Sequence, residues 1–235
     1  LNQHGAQKSD TDPRQVRNAD TDSAGITPTT DFIAPLADLG LIALSGEDAA
    51  HFLHNQLTND VEHLTSNEAR LAGYCSPKGR LLATFLIWKS ADAILLQVPR
   101  DILPAIQKRL QMFVLRAKVK LADISADHTI LGLTGTAAGA TLSHWFPTLP
   151  PSPYTKVESD AGTLIRVADA LGAPRYQWIT TQIVAQDAWA TLIETLTPAE
   201  PHAWRLTDIH AGIPQITQAT QEQFVPQMVN YELLG

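Results

Sequence analysis

One cysteine, Cys75, and two methionines are all the sulfur in 235 residues. A lone thiol has no intramolecular disulfide partner and supplies only one ligand to a thiolate-held iron–sulfur cluster or structural zinc. An intramolecular disulfide and an iron–sulfur or zinc centre held by cysteine thiolates alone are therefore excluded for this sequence, and a reducing, cytoplasmic setting is expected. Positive charge is also scarce: 17 Lys and Arg stand against 24 Asp and Glu, a net charge of −7. Such a surface repels phosphate backbones overall, so any nucleic-acid contact has to be local. The longest apolar run, Leu81 to Trp88, is interrupted by Thr84 and stops at Lys89, well short of the about 20 residues that cross a bilayer. No membrane partner is expected. There is no Gly-x-Ser-x-Gly elbow, no phosphate loop ending in Gly-Lys-Ser/Thr and no dinucleotide fingerprint after a strand, which removes support from hydrolase, kinase and Rossmann assignments.

What is present is a chain that is 44% hydrophobic and 17% charged, enough for one large domain or two small ones. Residues 1–30 hold almost no large apolar side chain and are rich in Asp, Gln, Asn, Ser and Thr. They are expected to form a flexible, disordered tail without a targeting signal. From Asp31 onward short strands alternate irregularly with helices. Leu39 to Ser45 reads as a strand, and Ser45 with Asp48 as an N-cap pair opening a helix that buries Ala49, Phe52, Leu53 and Leu57. Arg70 to Ser76 and Arg80 to Trp88 form a hairpin across Pro77, Lys78 and Gly79, with a cationic tip.

A strand at Ala93 to Val98 leads into a helix whose Ile102, Ile106, Leu110 and Phe113 recur at helical spacing, with Pro104 in its first turn. Further strands are expected near 119–124, 129–133, 163–167 and 177–180, with helices from Thr136 to Phe146, near 185–196, and from Pro201 to the Gly212 and Pro214 stop. The proline-rich segment 147–155 marks a boundary. The pattern predicts an α+β fold of mainly antiparallel sheets with packed helices. Its expected division is a subdomain over 31–146 and a second over 147–235.

Several residue groups invite chemistry. His51 and His54, three apart on the first helix, with His63 nearby, have the spacing of a shared metal site. No carboxylate is placed to complete it, so no metal is assigned. Cys75 precedes the cationic turn, where Lys78 and Arg80 could favour the thiolate; a small buried hydrophobe is the better fit, and no nucleophile is assigned. Lys108, Arg109, Arg116, Lys118 and Lys120 follow one another with no acid between them. They suit an anionic ligand tail or an RNA backbone, or simply a solvated helix end and a lysine-guarded strand edge. Trp204 and Trp145 offer flat indole faces, either for a heterocycle or for the core.

Four short motifs in order say more. Gly46 to Val61 (GEDAAHFLHNQLTNDV), Tyr74 to Arg80 (YCSPKGR), Leu115 to Val119 (LRAKV) and Trp204 to Pro214, resuming at Phe224 to Asn230 (FVPQMVN), resemble the folate-binding YgfZ family. Those proteins are relatives of the glycine-cleavage T-protein, an aminomethyltransferase. The resemblance implies a T-protein-like fold around a central folate site, with tetrahydrofolate or a derivative bound and not turned over. It also implies a role in assembling or repairing iron–sulfur clusters of client enzymes, among them enzymes of tRNA modification. The site residues it implies are Trp204 as a ring contact, Lys78, Arg80, Arg116 and Lys118 as anion contacts, and Tyr74, His210 and Asn230 from the remaining motifs.

The sequence departs from the family pattern in three ways. The aminomethyltransferases carry an Asp pair in the strand after the Lys-Gly turn, where this chain has Leu82 and Ala83. No catalytic residue is therefore assigned, and methyl transfer of that type remains only the alternative. His210 stands where the family has a glutamate, and Leu39 where some members have an aromatic residue. The family's signature cysteine motif and C-terminal barrel do not follow; Tyr231 to Gly235 reads as their lead-in, so a truncated chain is expected.

Overall fold

The computed structural model describes residues 30–231. Residues 1–29 of the tail expected over 1–30, and 232–235 of the lead-in at 231–235, lie outside the described residues. The elements run β1 (Phe32–Pro35), β2 (Leu39–Ser45), α1 (Ala49–His54), β3 (Ala69–Cys75), β4 (Leu81–Ser90), β5 (Ala93–Pro99), α2 (Leu103–Phe113), β6 (Lys120–Asp123) and β7 (Thr129–Thr134). They continue through α3 (Thr136–Leu142), β8 (Lys156–Ser159), β9 (Gly162–Ala170), β10 (Ala173–Thr180), α4 (Gln182–Leu192), β11 (Thr197–Pro198) and α5 (Pro201–His210). One sheet has the order β3-β4-β5-β2-β6 and the other β11-β1-β7-β10-β9-β8. Among the described strands every pairing is antiparallel except that of β1 with β11. The architecture is the mixed α+β fold expected, with open sheets and no closed barrel among the described residues.

Each sheet is covered on both faces, and the two pack on each other. The period-2 alternation of side chains along a strand decides which core each residue enters. In β5, Ile94, Leu96 and Val98 turn toward α1 and α2, whereas Leu95 enters the middle core. In β10, Tyr176 and Trp178 turn toward α3 and α4, whereas Ile179 enters the middle core. Strands buried on both faces read as continuous apolar runs, which accounts for Leu81 to Trp88 without any membrane. No described helix is long and apolar enough to cross one.

Local expectations hold with corrections. Asp48 sits at the N-cap of α1 but makes no capping bond; its Oδ2 accepts the Lys118 backbone N–H at 2.7 Å, tying the helix start to the approach of β6. Leu57 is buried beyond the helix, where it bridges Tyr74. Pro104 lies in the first turn of α2 and Ile106 and Leu110 are buried, but Phe113 at the helix end is exposed. α3 stops at Leu142, and Phe146 folds back from the following turn to meet Trp178 edge-on, ring centroids 5.6 Å apart. Gly79 closes the β3–β4 turn at φ +72°, with open space around it, so backbone conformation and not crowding selects glycine there. The hydrogen-bonded sheets change over between Asp123 and Thr129, and β1 returns to the second sheet. The proline-rich 147–155 segment therefore lies within the second sheet's connections.

After α5 the chain crosses back over the first sheet. The Ile216 N–H donates to Thr84 Oγ1 at 3.1 Å and Gln221 Nε2 to the Leu82 carbonyl at 2.8 Å. The Glu222 N–H donates to the Leu81 carbonyl at 2.8 Å, and the Leu81 N–H to the Phe224 carbonyl at 2.7 Å. This crossing closes a cavity between the sheets.

Candidate functional site

The middle core is not uniformly apolar. Gln97 of β5 and Arg175 and Gln177 of β10 occupy its inward positions, at 6%, 0% and 5% exposure. Buried polar groups without partners cost about 1–3 kcal/mol each, so their collection at one place makes this wall the candidate site. They line a cavity of about 60 Å³ together with Thr84, Tyr154, Asp208 and Tyr231. Across the cavity wall the two glutamine carbonyl oxygens, the Arg175 Nε and the hydroxyls of Tyr154 and Tyr231 are buried without a hydrogen-bond partner.

Arg175 is the centre of this wall. Its Nη2 donates to Asp208 Oδ1 in an ion pair and its Nη1 to the Ala168 carbonyl at 3.1 Å. The guanidinium carbon lies 4.2 Å from the Trp204 ring centroid, a stacked cation–π contact. Asp208 comes from α5, one turn beyond Trp204. Burial pushes its carboxyl above the ordinary range against the pull of Arg175, and the Asp38 carboxylate adds to the rise. Burial likewise pushes the Tyr154 phenol up to about 12 and raises that of Tyr231.

None of the eight residues expected at the site lines this cavity. Trp204 is the nearest: 2% exposed, it lies one layer back, packed under Arg175 and against Gly132. Its indole supports the arginine instead of presenting a free face. Tyr74 is buried in the core beneath α1 and α2, with the Arg109 guanidinium 5.9 Å from its ring centroid. The cations project elsewhere. Lys78 is exposed on its turn and Arg116 beyond α2, and Lys118 is exposed and paired with Glu47. Arg80 holds the crossing segment through the carbonyls of Glu222 and Gln223, at 3.4 and 3.0 Å. His210 and Asn230 are exposed. Trp145 packs 5.0 Å from Trp178, and the basic stretch does not converge on one face: Arg109 lies over Tyr74 and Phe113.

Two further groups singled out in the sequence have the following surroundings. Burial raises the Cys75 thiol above its ordinary value, the opposite of activation by the cationic turn. His51 pairs with Glu62 and His54 and His63 with Asp60, at 2.7, 3.2 and 2.7 Å. Among the described residues no three such side chains form a metal-holding group. A signal for this cavity wall is present in the sequence: Gln97, Arg175 and Gln177 are long polar side chains inside otherwise apolar strands. Asp208 and Tyr231 gave no such signal, because they arrive from a helix and a loop.

The fold is T-protein-like. The aminomethyltransferase T of the glycine cleavage system from Bartonella henselae superposes with a TM-score of 0.62 over 73% of this chain and 48% of its own, at 16% identity. The sequence narrows the relationship further. A Photorhabdus laumondii protein described as the tRNA-modifying protein YgfZ is 28% identical over 213 residues, 91% of this chain and 63% of the relative. Its Serratia proteamaculans counterpart is 29% identical over 199 residues, 85% and 59% of the two chains. No family model matches. This chain is thus a relative of the YgfZ proteins and spans somewhat less than two thirds of their length.

Proposed function

We propose that this chain binds a folate in the cavity between its sheets and serves, as a YgfZ-type factor, the assembly or repair of iron–sulfur clusters in client enzymes that modify tRNA. The relatives' description as tRNA-modifying proteins and the T-protein-like fold support this assignment. The observation that carries it is the wall itself: a carboxylate paired with a guanidinium, and beside them two amide oxygens, the guanidinium Nε and two phenols short of hydrogen-bond partners, line one cavity. The pterin edge of a folate offers adjacent N–H donors and ring acceptors. A carboxylate beside amide oxygens complements such an edge.

Under this assignment Arg175, Asp208, Gln97 and Gln177 hold the ring, and Trp204 acts by positioning Arg175. Lys78, Arg80, Arg116 and Lys118 remain contacts for an anionic tail only if they fold toward the bound ligand. Leu82 and Ala83 lie buried in β4, so no carboxylate stands where the aminomethyltransferases place theirs, and folate is bound without turnover. The setting is cytoplasmic, where folates and client enzymes meet.

The test is a calorimetric titration of the 235-residue chain with 5-formyltetrahydrofolate, repeated on Gln177→Leu. Loss of one buried hydrogen bond is worth about 1–1.5 kcal/mol, so the variant is expected to bind about tenfold more weakly. Absence of saturable binding in the wild type overturns the folate assignment. Formation of methylenetetrahydrofolate from a donor amine would favour the aminomethyltransferase alternative.

A further inference from the structure

The cavity is too small for the ligand it is equipped to hold. Its volume of about 60 Å³ is less than half of the about 150 Å³ at which an engineered apolar cavity admits benzene, and a pterin is a fused bicycle. Part of the present wall must leave when such a ring enters. Most of that wall cannot. Gln97, Thr84, Arg175 and Gln177 belong to strands paired on both sides within their sheets, and Asp208 is held by Arg175.

Tyr231 differs in every respect. It is an aromatic ring at 5% exposure, seated in the cavity wall and in the middle core. It arrives on the crossing segment and not on a strand. Among the described residues, the last backbone hydrogen bond from that segment to the sheet is the one Leu81 donates to Phe224. Beyond it lie one short turn, Pro226–Val229, and Asn230 at φ +56°, and their backbone bonds are local: Met228 to Val225 and Asn230 to Gln227. Its hydroxyl, which interacts with the Thr84 side chain, and that of Tyr154 both lack a well-formed hydrogen bond. A buried hydroxyl short of hydrogen bonding is unfavourable, so the seat of Tyr231 is held by its ring and opposed by its polar tip.

The geometry points to Tyr231 as the occupant of the ring subsite: its phenol fills the place that a planar, hydrogen-bonding heterocycle takes when it binds, and binding swings residues 225–231 away while the anchor at Phe224 stays. This inference rests on the folate assignment and adds to it which side chain the ring replaces. The subsite then selects for a flat ring carrying both donors and acceptors on its edge, because only such a ring satisfies Asp208, the glutamine oxygens and Tyr154 together.

The experiment titrates 5-formyltetrahydrofolate by calorimetry into the full chain and into Tyr231→Ala and Tyr231→Leu, with thermal melts to certify folding. Hydrogen–deuterium exchange of residues 225–231 is followed with and without the ligand. Expected are roughly tenfold tighter binding in whichever variant folds, since no side chain has to be displaced, and faster exchange across 225–231 in the bound wild type. Wild-type binding with no gain in the variants, or slower exchange of that segment on binding, overturns the role of Tyr231 and leaves the folate assignment intact. No binding by any of the three proteins overturns both.

Discussion

Gly132 and Trp204 approach so closely that a methyl group at residue 132 would stand 2.5 Å from the indole Cε3. The indole in turn carries the Arg175 guanidinium, 4.2 Å from the ring centroid. The floor of the cavity is therefore a stack of strand backbone, indole and guanidinium, and its spacing is set by the absence of a Cβ in β7.

Gly132→Ala is expected to destabilise the fold by about 1–3 kcal/mol, because β7 is paired with both β1 and β10 and cannot retreat from the ring. Urea unfolding measures it. In the Trp204→Phe background, where the six-membered ring leaves room, the same substitution should cost distinctly less; equal costs in the two backgrounds would mean the contact does not limit the packing.

Asp208→Ala strands the Arg175 charge at zero exposure and should cost about 3–5 kcal/mol, whereas Asp208→Asn, which keeps an acceptor, should cost less. The pH dependence has a definite sign. A carboxyl raised above its unfolded value binds its proton more readily when folded, so its contribution favours folding on the acid side and is lost as pH rises through the raised value. Unfolding free energies of wild type and Asp208→Asn between about pH 4 and 7 should diverge in that direction.

Asp60 and Glu62 behave oppositely. The His63 backbone N–H holds the Asp60 carboxyl below its ordinary value, and the His51 side chain does the same for Glu62. A lowered carboxyl contributes stability above its unfolded value and loses it as pH falls through the lowered one. Carbon-detected NMR titration should show both groups below the ordinary carboxylate range, with Glu62 returning to it in His51→Ala.

Cys75 should be a slow nucleophile. Its thiol is raised by burial, so alkylation by iodoacetamide at neutral pH is expected to run well below the rate of free cysteine and to climb only above the ordinary thiol range. A rate matching or exceeding free cysteine at neutral pH would show that Lys78 and Arg80 reach the sulfur after all.

Much of the fold was legible before any coordinates. The hairpin of β3 and β4, the Pro104-led α2 and the Gly212 stop of α5 follow from alternation, helical spacing and turn chemistry, all of which act over a few residues. The order of motifs also pointed to the right relatives. What local pattern could not show was which face of a doubly buried strand meets which core, and so whether Gln97 or Gln177 faces a helix or a cavity.

The sequence by itself determined the elements, the antiparallel α+β class and the kinship, because each is written in neighbours along the chain or in short runs of identity. Only the tertiary structure decided what lines the cavity. It placed Arg175 of β10, Asp208 of α5 and Tyr231 of the crossing segment around one space and sent the conspicuous cations to the surface. Those residues are far apart in sequence, and nothing but the packing of two sheets and the returning chain brings their charges and hydroxyls within reach of each other.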